Sequence, residues 1–245
     1  MKPYFQRVAF MGLGLIGSSL ARVMREQGLA GQIVASARSQ RTLDAALALG
    51  VIDEGQVRPA DAARGADLVV LAMPVCATEQ VLRDIAPVLR ADVVLTDVGS
   101  TKGNVVEAAR AVFGAALPPG FVPGHPIAGG EQTGVMAGKA DLFAHHRVIL
   151  TPLPSSSPVA VAQVRALWQA AQAEVLEMSV DRHDRILART SHLPHLLAFA
   201  LVEELAASSD NLDIFRYAAG GFRDFTRIAA SDPLMWHDIF MANRP

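Results

Sequence analysis

A single cysteine, Cys76, stands in the 245 residues. No intrachain disulfide can form, which fits a reducing cytoplasm, the expected location. Charge is also sparse: 19% of residues are Asp, Glu, Lys or Arg, the formal net charge is −2 and the pI is near 6.4. Nothing in that balance calls for nucleic acid or an anionic membrane as a partner. No apolar run reaches the roughly 18 uncharged residues of a membrane helix. Glycines cut the apolar stretch behind Met1–Arg7, unlike a secretory leader. What remains is 51% hydrophobic, with a mean hydropathy of +0.28. That is too apolar for a disordered chain and long enough for one large domain or two modest ones.

The first half alternates strand-like and helix-like segments. Strands are predicted at Arg7–Met11, Gln32–Ser36, Asp67–Met73 and Asp92–Val98, and helices at Ser18–Gln27, Thr42–Leu49, Val81–Leu89 and Asn104–Val112. The run Asp67-Leu68-Val69-Val70-Leu71-Ala72-Met73 is apolar almost throughout, as in a strand covered on both faces. Such alternation means βαβ units and a parallel sheet. From Leu117 to Gly138 the chain reads as Pro- and Gly-rich loop. His146–Thr151 and Glu174–Met178 are late strands flanking a helix at Val159–Ala171. After Ser179 only helices are predicted: Asp181–Ala206 with a kink at Pro194, Asn211–Ala219, Gly221–Ala230 and Pro233–Met241. The expected division is a nucleotide domain over 1–155, with an extra strand to about 178, and a helical domain over 180–245.

The first strand runs directly into Gly12-Leu13-Gly14-Leu15-Ile16-Gly17, which opens a helix. In that context the glycines mark a dinucleotide site in a Rossmann-type, doubly wound sheet. Gly12 permits the tight turn, Gly14 lets the backbone approach the pyrophosphate, and Gly17 allows close helix–strand packing. Leu15 and Ile16 complete the turn, whose free N–H groups face the phosphates. An NAD enzyme usually carries an acid at the end of the second strand to bind the ribose 2′-hydroxyl. Here that stretch reads Ser36-Ala37-Arg38-Ser39. A guanidinium flanked by hydroxyls suits a 2′-phosphate, so NADP is the preferred cofactor, with NAD possible. The strand ends at Met73-Pro74-Val75, with Thr78 close behind, and at Asp97–Lys102 should meet the same ligand. Thr78 and Ser100 are equally suited to capping helices.

A further glycine-rich loop, Gly124-His125-Pro126-Ile127-Ala128-Gly129-Gly130-Glu131, offers an imidazole that could take a proton from an alcohol as its hydride leaves. Together, the glycine loop, Asp97-Val98-Gly99-Ser100-Thr101-Lys102, the His125-Pro126-Ile127-Ala128-Gly129 loop, Ser191-His192-Leu193-Pro194-His195, Asp224-Phe225-Thr226-Arg227-Ile228-Ala229 and Asp232-Pro233-Leu234-Met235-Trp236 resemble the prephenate/arogenate (cyclohexadienyl) dehydrogenase family of tyrosine biosynthesis. The resemblance covers essentially the whole chain, in order.

That resemblance implies an oxidative decarboxylation of prephenate or arogenate with hydride transfer to NAD(P)⁺, by a homodimer joined through the helical domain. It implies that His125 accepts the proton of the ring hydroxyl and that Ser100 positions it beside the nicotinamide. Arg227 would anchor a substrate carboxylate and His195 would add a polar contact, while Ser191, His183 and His192 would line or gate the site. Glu131 and Asp224 would belong to a charge network at its mouth, and Trp236 would reach the site of the partner subunit. Gly130 stands where many members carry a larger residue, which leaves the choice of substrate open. His192 and His195 share a helix face, but no carboxylate or cysteine joins them at ligand spacing, so no metal is expected. Two rival readings are weaker. A related β-hydroxyacid-type NADP dehydrogenase would rely on a lysine in the helical part, and none follows Ser179. A non-enzymatic NADP sensor would need no such constellation.

Overall fold

The computed structural model describes residues 4–130 and 132–244. Its centre is a six-stranded parallel sheet. The first half comprises β1 (Phe5–Met11), α1 (Leu15–Glu26), β2 (Ala30–Ser36), α2 (Gln40–Ala48), β3 (Glu54–Gln56) and α3 (Pro59–Ala63). The second comprises β4 (Leu68–Leu71), α4 (Thr78–Ile85), β5 (Val94–Asp97), α5 (Gly103–Phe113) and β6 (Phe121–Val122). The strand order β3-β2-β1-β4-β5-β6 reverses direction at β1 and β4. In such sheets ligands bind outside the carboxyl ends of the strands at the switch point.

Alternation along β1 shows why its residues are almost all apolar. Val8 and Phe10 join Leu20, Met24, Ile33 and Val70 in one core. Ala9 and Met11 join Val34, Val69, Leu71 and Leu95 in the other. Both faces are buried under helices, so neither tolerates a polar side chain.

The chain then leaves this sheet at Pro123. A second sheet, in the order β7-β8-β9, is built from β7 (Gly124–Ile127), β8 (Arg147–Leu150) and β9 (Glu174–Glu177), with α6 (Pro158–Ala170) between the last two. β7 runs antiparallel to β8 and β8 parallel to β9. The segment carrying His125, expected as a loop, is therefore a strand, with His125 paired to Ile149. Pro126 fits there because β7 is an edge strand and needs no full ladder of donors. The short elements β3, α3 and β6 also lay inside stretches without a clear period.

From Val180 onward the chain is helical: α7 (Val180–Leu187), α8 (Leu193–Ala206), α9 (Asn211–Arg216), α10 (Gly220–Thr226) and α11 (Pro233–Ala242). A π-helical turn at Ala188–His192, just before Pro194, joins α7 to α8. Pro194 brings no N–H to the ladder, and the widened turn absorbs the missing bond. Ser157 and Ser179 cap α6 and α7 by accepting the backbone N–H groups of Ala160 and Arg182. Asp232 caps α11 through Leu234 and Met235. Among the described residues no helix is long and apolar enough to cross a membrane.

Candidate active site

The glycine turn closes over the carboxyl ends of β1 and β4. Gly12 has φ +101, and a Cβ there would lie 2.5 Å from the carbonyl oxygen of Ala72. A Cβ on Gly17 would lie 2.7 Å from the Gly12 oxygen, whereas one on Gly14 would meet nothing within 4 Å. Gly12 and Gly17 are thus required by packing, whereas nothing within the protein itself excludes a side chain from the space at Gly14. Gly14 caps α1 without a side-chain bond, and no acid stands in the first turn. Leu15 and Ile16 therefore open a helix whose first N–H groups face that space, a cradle that fits a pyrophosphate.

The other strand ends sort the expected cofactor contacts. Arg38 and Ser39 are exposed, and the Ser39 side chain makes no capping bond to α2. Ser36 is turned away: it is buried and its hydroxyl donates to the Val57 carbonyl at 3.2 Å. Arg41, on the first turn of α2 and exposed beside Arg38, was not singled out from the sequence. Met73 and Pro74 follow β4 at the sheet edge, and Val75 packs on Gly99. Thr78 does not N-cap α4, whose N-cap is Ala77; its hydroxyl donates to the Val75 carbonyl at 2.8 Å.

Nor does Ser100 cap α5, whose N-cap is Lys102. The capping carboxylate arrives from α7 instead: Asp184 accepts the N–H groups of Lys102 and Gly103 at 2.8 and 2.7 Å. Lys102 itself is fully buried, with its ammonium on the Asp97 carboxylate and on the carbonyl of Gly124, 2.7 Å away. Asp97 also accepts the N–H groups of Gly99 and Gly124. Burial pulls the Lys102 ammonium down, against the opposing attraction of Asp97 and Asp184. These contacts tie the end of β5 to the start of β7 and so seat His125.

His125 is 9% exposed, and its Nδ1 lies 2.8 Å from Nε2 of His183, a residue with no exposed surface. His183 Nδ1 in turn lies 2.7 Å from Asp184. Burial, then the neighbouring His183, Lys102 and His192, hold the His125 ring well below the usual imidazole range. The ring is therefore a neutral acceptor at neutral pH. Burial works against ionised Asp184, but the bonds from His183 and the two backbone N–H groups outweigh it, and its carboxyl stays below the ordinary value.

The helical segment brings a second group together. His195 donates from Nδ1 to the Ser191 carbonyl at 2.9 Å, since a carbonyl cannot donate. Its ring stacks on Trp236 with centroids 3.6 Å apart. Burial lowers the His195 ring, the Ser191 carbonyl opposes this, and the nearby charge of Arg227 adds to the lowering. His192 is drawn down to about 4, chiefly by burial, and lies against the Ser100 backbone. Asn243 bridges its Nδ1 and the Asp184 carbonyl.

His192, against the Ser100 backbone, has its ring centroid 6.1 Å from that of Trp236, and Trp236 stacks on His195, which feels the charge of Arg227. Trp236 makes these ring contacts within its own chain. Gly130 stands by Leu15 of the glycine turn, and Glu131 lies outside the described residues. The sequence marks Asp97 and Lys102 only as the ends of a ligand-facing segment and Asp184 not at all, since a buried ion pair and a distant cap have no local pattern. Among the described residues no group of three or more His, Cys, Asp or Glu could hold a metal.

A buried neutral imidazole at the ligand edge of a doubly wound sheet, opposite an uncapped glycine turn, is the apparatus of a nicotinamide-dependent dehydrogenase. Comparison with known proteins narrows the class. A family model described as the nucleotide-binding domain of prephenate dehydrogenase matches residues 20–177, and one described as its dimerization domain matches 179–245. The chain belongs to the prephenate dehydrogenase family. A cyclohexadienyl dehydrogenase of Zymomonas mobilis is 39% identical over 98% of this chain and 82% of its own length. A prephenate dehydrogenase of Bacillus subtilis is 39% identical over 97% of this chain, which spans 64% of that longer protein. The crystal structure of Aquifex aeolicus prephenate dehydrogenase with hydroxyphenyl propionate and NAD⁺ has a TM-score of 0.89 at 37% identity, covering 98% of this chain and 83% of that one.

Proposed function

We propose that the protein carries out the oxidative decarboxylation of prephenate, of arogenate or of both in tyrosine biosynthesis. The observation that carries this reading is the buried, neutral His125 at the sheet edge shared with the glycine turn. A nicotinamide held at the glycine turn would supply the hydride acceptor for the carbon bearing the ring hydroxyl. His125 accepts the hydroxyl proton as that hydride leaves, with Ser100 positioning the pair. The ring carboxylate departs as CO₂, its bonding electrons complete the aromatic ring, and the proton returns to the phenol oxygen. Arg227 anchors a substrate carboxylate and His195 adds a polar contact, with Ser191, Trp236 and Gly130 around them. Holding two bound molecules in register can supply roughly 7–11 kcal/mol of the barrier.

NADP⁺ is the preferred dinucleotide in this reading. The support is the absence of an acid in Ser36–Ser39 together with exposed Arg38 and Ser39 at the end of β2. Residues to about 178 serve as the nucleotide part and 180–245 as the substrate and dimerisation part. Association of two copies is supported by exposed Leu193, Leu196 and Leu197 on α8 and by Leu212 and Leu234.

The test is a matrix of kcat/KM for prephenate and arogenate against NADP⁺ and NAD⁺, read by reduced nicotinamide and released CO₂. Turnover with NADP⁺ and at least one substrate is expected. No turnover in any of the four combinations sinks the proposal.

A further inference from the structure

The contacts around His125 carry more than its burial. Asp184 receives three donors: the N–H groups of Lys102 and Gly103 and the ring of His183. An ionised carboxylate only accepts, so the hydrogen between Asp184 and His183 belongs to Nδ1 of His183. A His183 ring that holds only this proton presents a bare Nε2 to the 2.8 Å contact with His125. His125 must then donate from Nδ1, which leaves the Nε2 of His125 without a proton. We propose that Asp184, acting through His183, fixes His125 in the Nδ1–H tautomer and so presents a bare Nε2 to the substrate hydroxyl. Asp184 and His183 are positioning residues; the proposal rests on the assignment of His125 as proton acceptor made above.

The direction of the effect matters. A neutral imidazole in water favours the Nε2–H form, in which the substrate-facing nitrogen already holds a proton and cannot act as a base. The relay reverses that preference. Its geometry is rigid for reasons outside the pair: Asp184 is held by the first turn of α5, where the helix dipole favours a carboxylate. His183 is fully buried and meets His125 edge-on, with centroids 5.1 Å apart. Asn243 anchors the Asp184 backbone from the C-terminal helix. One carboxylate therefore sets both the start of α5, just past Ser100, and the protonation pattern of the base. The proton balance agrees with this role. The hydroxyl proton returns to the same oxygen, so the relay has to orient His125 and stabilise its transient cation without carrying a proton to solvent.

The experiment is ¹⁵N NMR of histidine-labelled protein, which distinguishes the two tautomers directly, on the native chain and on His183→Gln and His183→Leu. In the native protein His125 should show protonated Nδ1 and bare Nε2. His183→Leu removes the acceptor, so His125 should move to the Nε2–H form and kcat should fall by about 10²-fold, with KM and the NADP⁺ Kd changing only a few-fold. The amide oxygen of His183→Gln can accept from Nδ1 and should restore most of the tautomer and of kcat. A native His125 in the Nε2–H form overturns the proposal, and so does a leucine variant with unchanged tautomer and kcat. The native spectrum needs neither a variant nor turnover. An enzyme inactive on both substrates but with His125 in the Nδ1–H form would refute the proposed reaction and leave the relay standing.

Discussion

The ammonium of Lys102 donates to the carbonyl of Gly124, 2.7 Å away, while also pairing with Asp97. One lysine thus holds the residue preceding His125 against the end of β5. Removing one member of a buried pair leaves the other uncompensated, which costs roughly 3–5 kcal/mol. Lys102→Met should lose about that much stability in urea unfolding, and the Lys102→Met/Asp97→Asn double variant should recover part of it. A loss under about 1 kcal/mol in the single variant would show that the pair does not hold the strand ends together.

The three glycines of the turn should separate by assay. Gly12→Ala and Gly17→Ala force a Cβ to within 2.5 and 2.7 Å of backbone oxygens, so both should lower thermal stability. Gly14→Val meets open space, so its melting temperature should hold while dinucleotide affinity falls at least about tenfold. Equal effects of all three on stability would contradict this division.

Arg38→Ala should weaken NADP⁺ by about tenfold or more and leave NAD⁺ nearly unchanged, because only the former offers a phosphate to the fork. Fluorescence titration of both dinucleotides decides it. The effect of Arg41→Ala should be in the same direction, while Ser36→Ala should do little, its hydroxyl being committed to Val57. An unaltered NADP⁺ affinity in Arg38→Ala rules out the 2′-phosphate contact.

Acid should act on stability before it acts on the base. The His125 and His192 rings bind protons less readily folded than unfolded, His192 only near about 4. Below about 6.5 the unfolded chain takes up protons that the folded one refuses, so stability is full above that pH and declines as pH falls. Each excluded proton contributes at most about 1.4 kcal/mol per pH unit. His125 stays neutral through the same interval, held so by burial, His183, Lys102 and His192. A kcat profile measured where the protein remains folded should therefore lack an acid limb centred at 6.5. Finding that limb would show a His125 of ordinary basicity.

Leu197, 52% exposed on α8, should lie in the contact between two copies. Leu197→Glu would place a charge in an apolar interface and should shift sedimentation from dimer to monomer. A dimer of unchanged affinity would move the interface elsewhere.

The fold was largely readable from local pattern. Continuous apolar runs such as Leu68–Leu71 announced strands covered on both faces, and Gly12–Gly17 after such a run announced the ligand edge. Reading stopped where a residue's surroundings come from distant chain. Gly124-His125-Pro126-Ile127 looks like a loop until its position at a sheet edge, opposite Arg147–Leu150, excuses the proline. Ser36 looks available to a phosphate until Val57 is seen to take its hydroxyl.

The chemistry class follows from residue types and spacing along the chain, and the family from the resemblance its motifs carry, because a dinucleotide turn and a histidine motif are local arrangements. What only the folded chain decides is which groups are buried together. Asp184 caps a helix 81 residues earlier in the sequence, at Gly103, and orients a ring for His125, 58 residues from His183. Burial of Lys102 and His125 then makes each hold a proton less readily, and desolvation depends on the whole packed core, which no stretch of sequence displays.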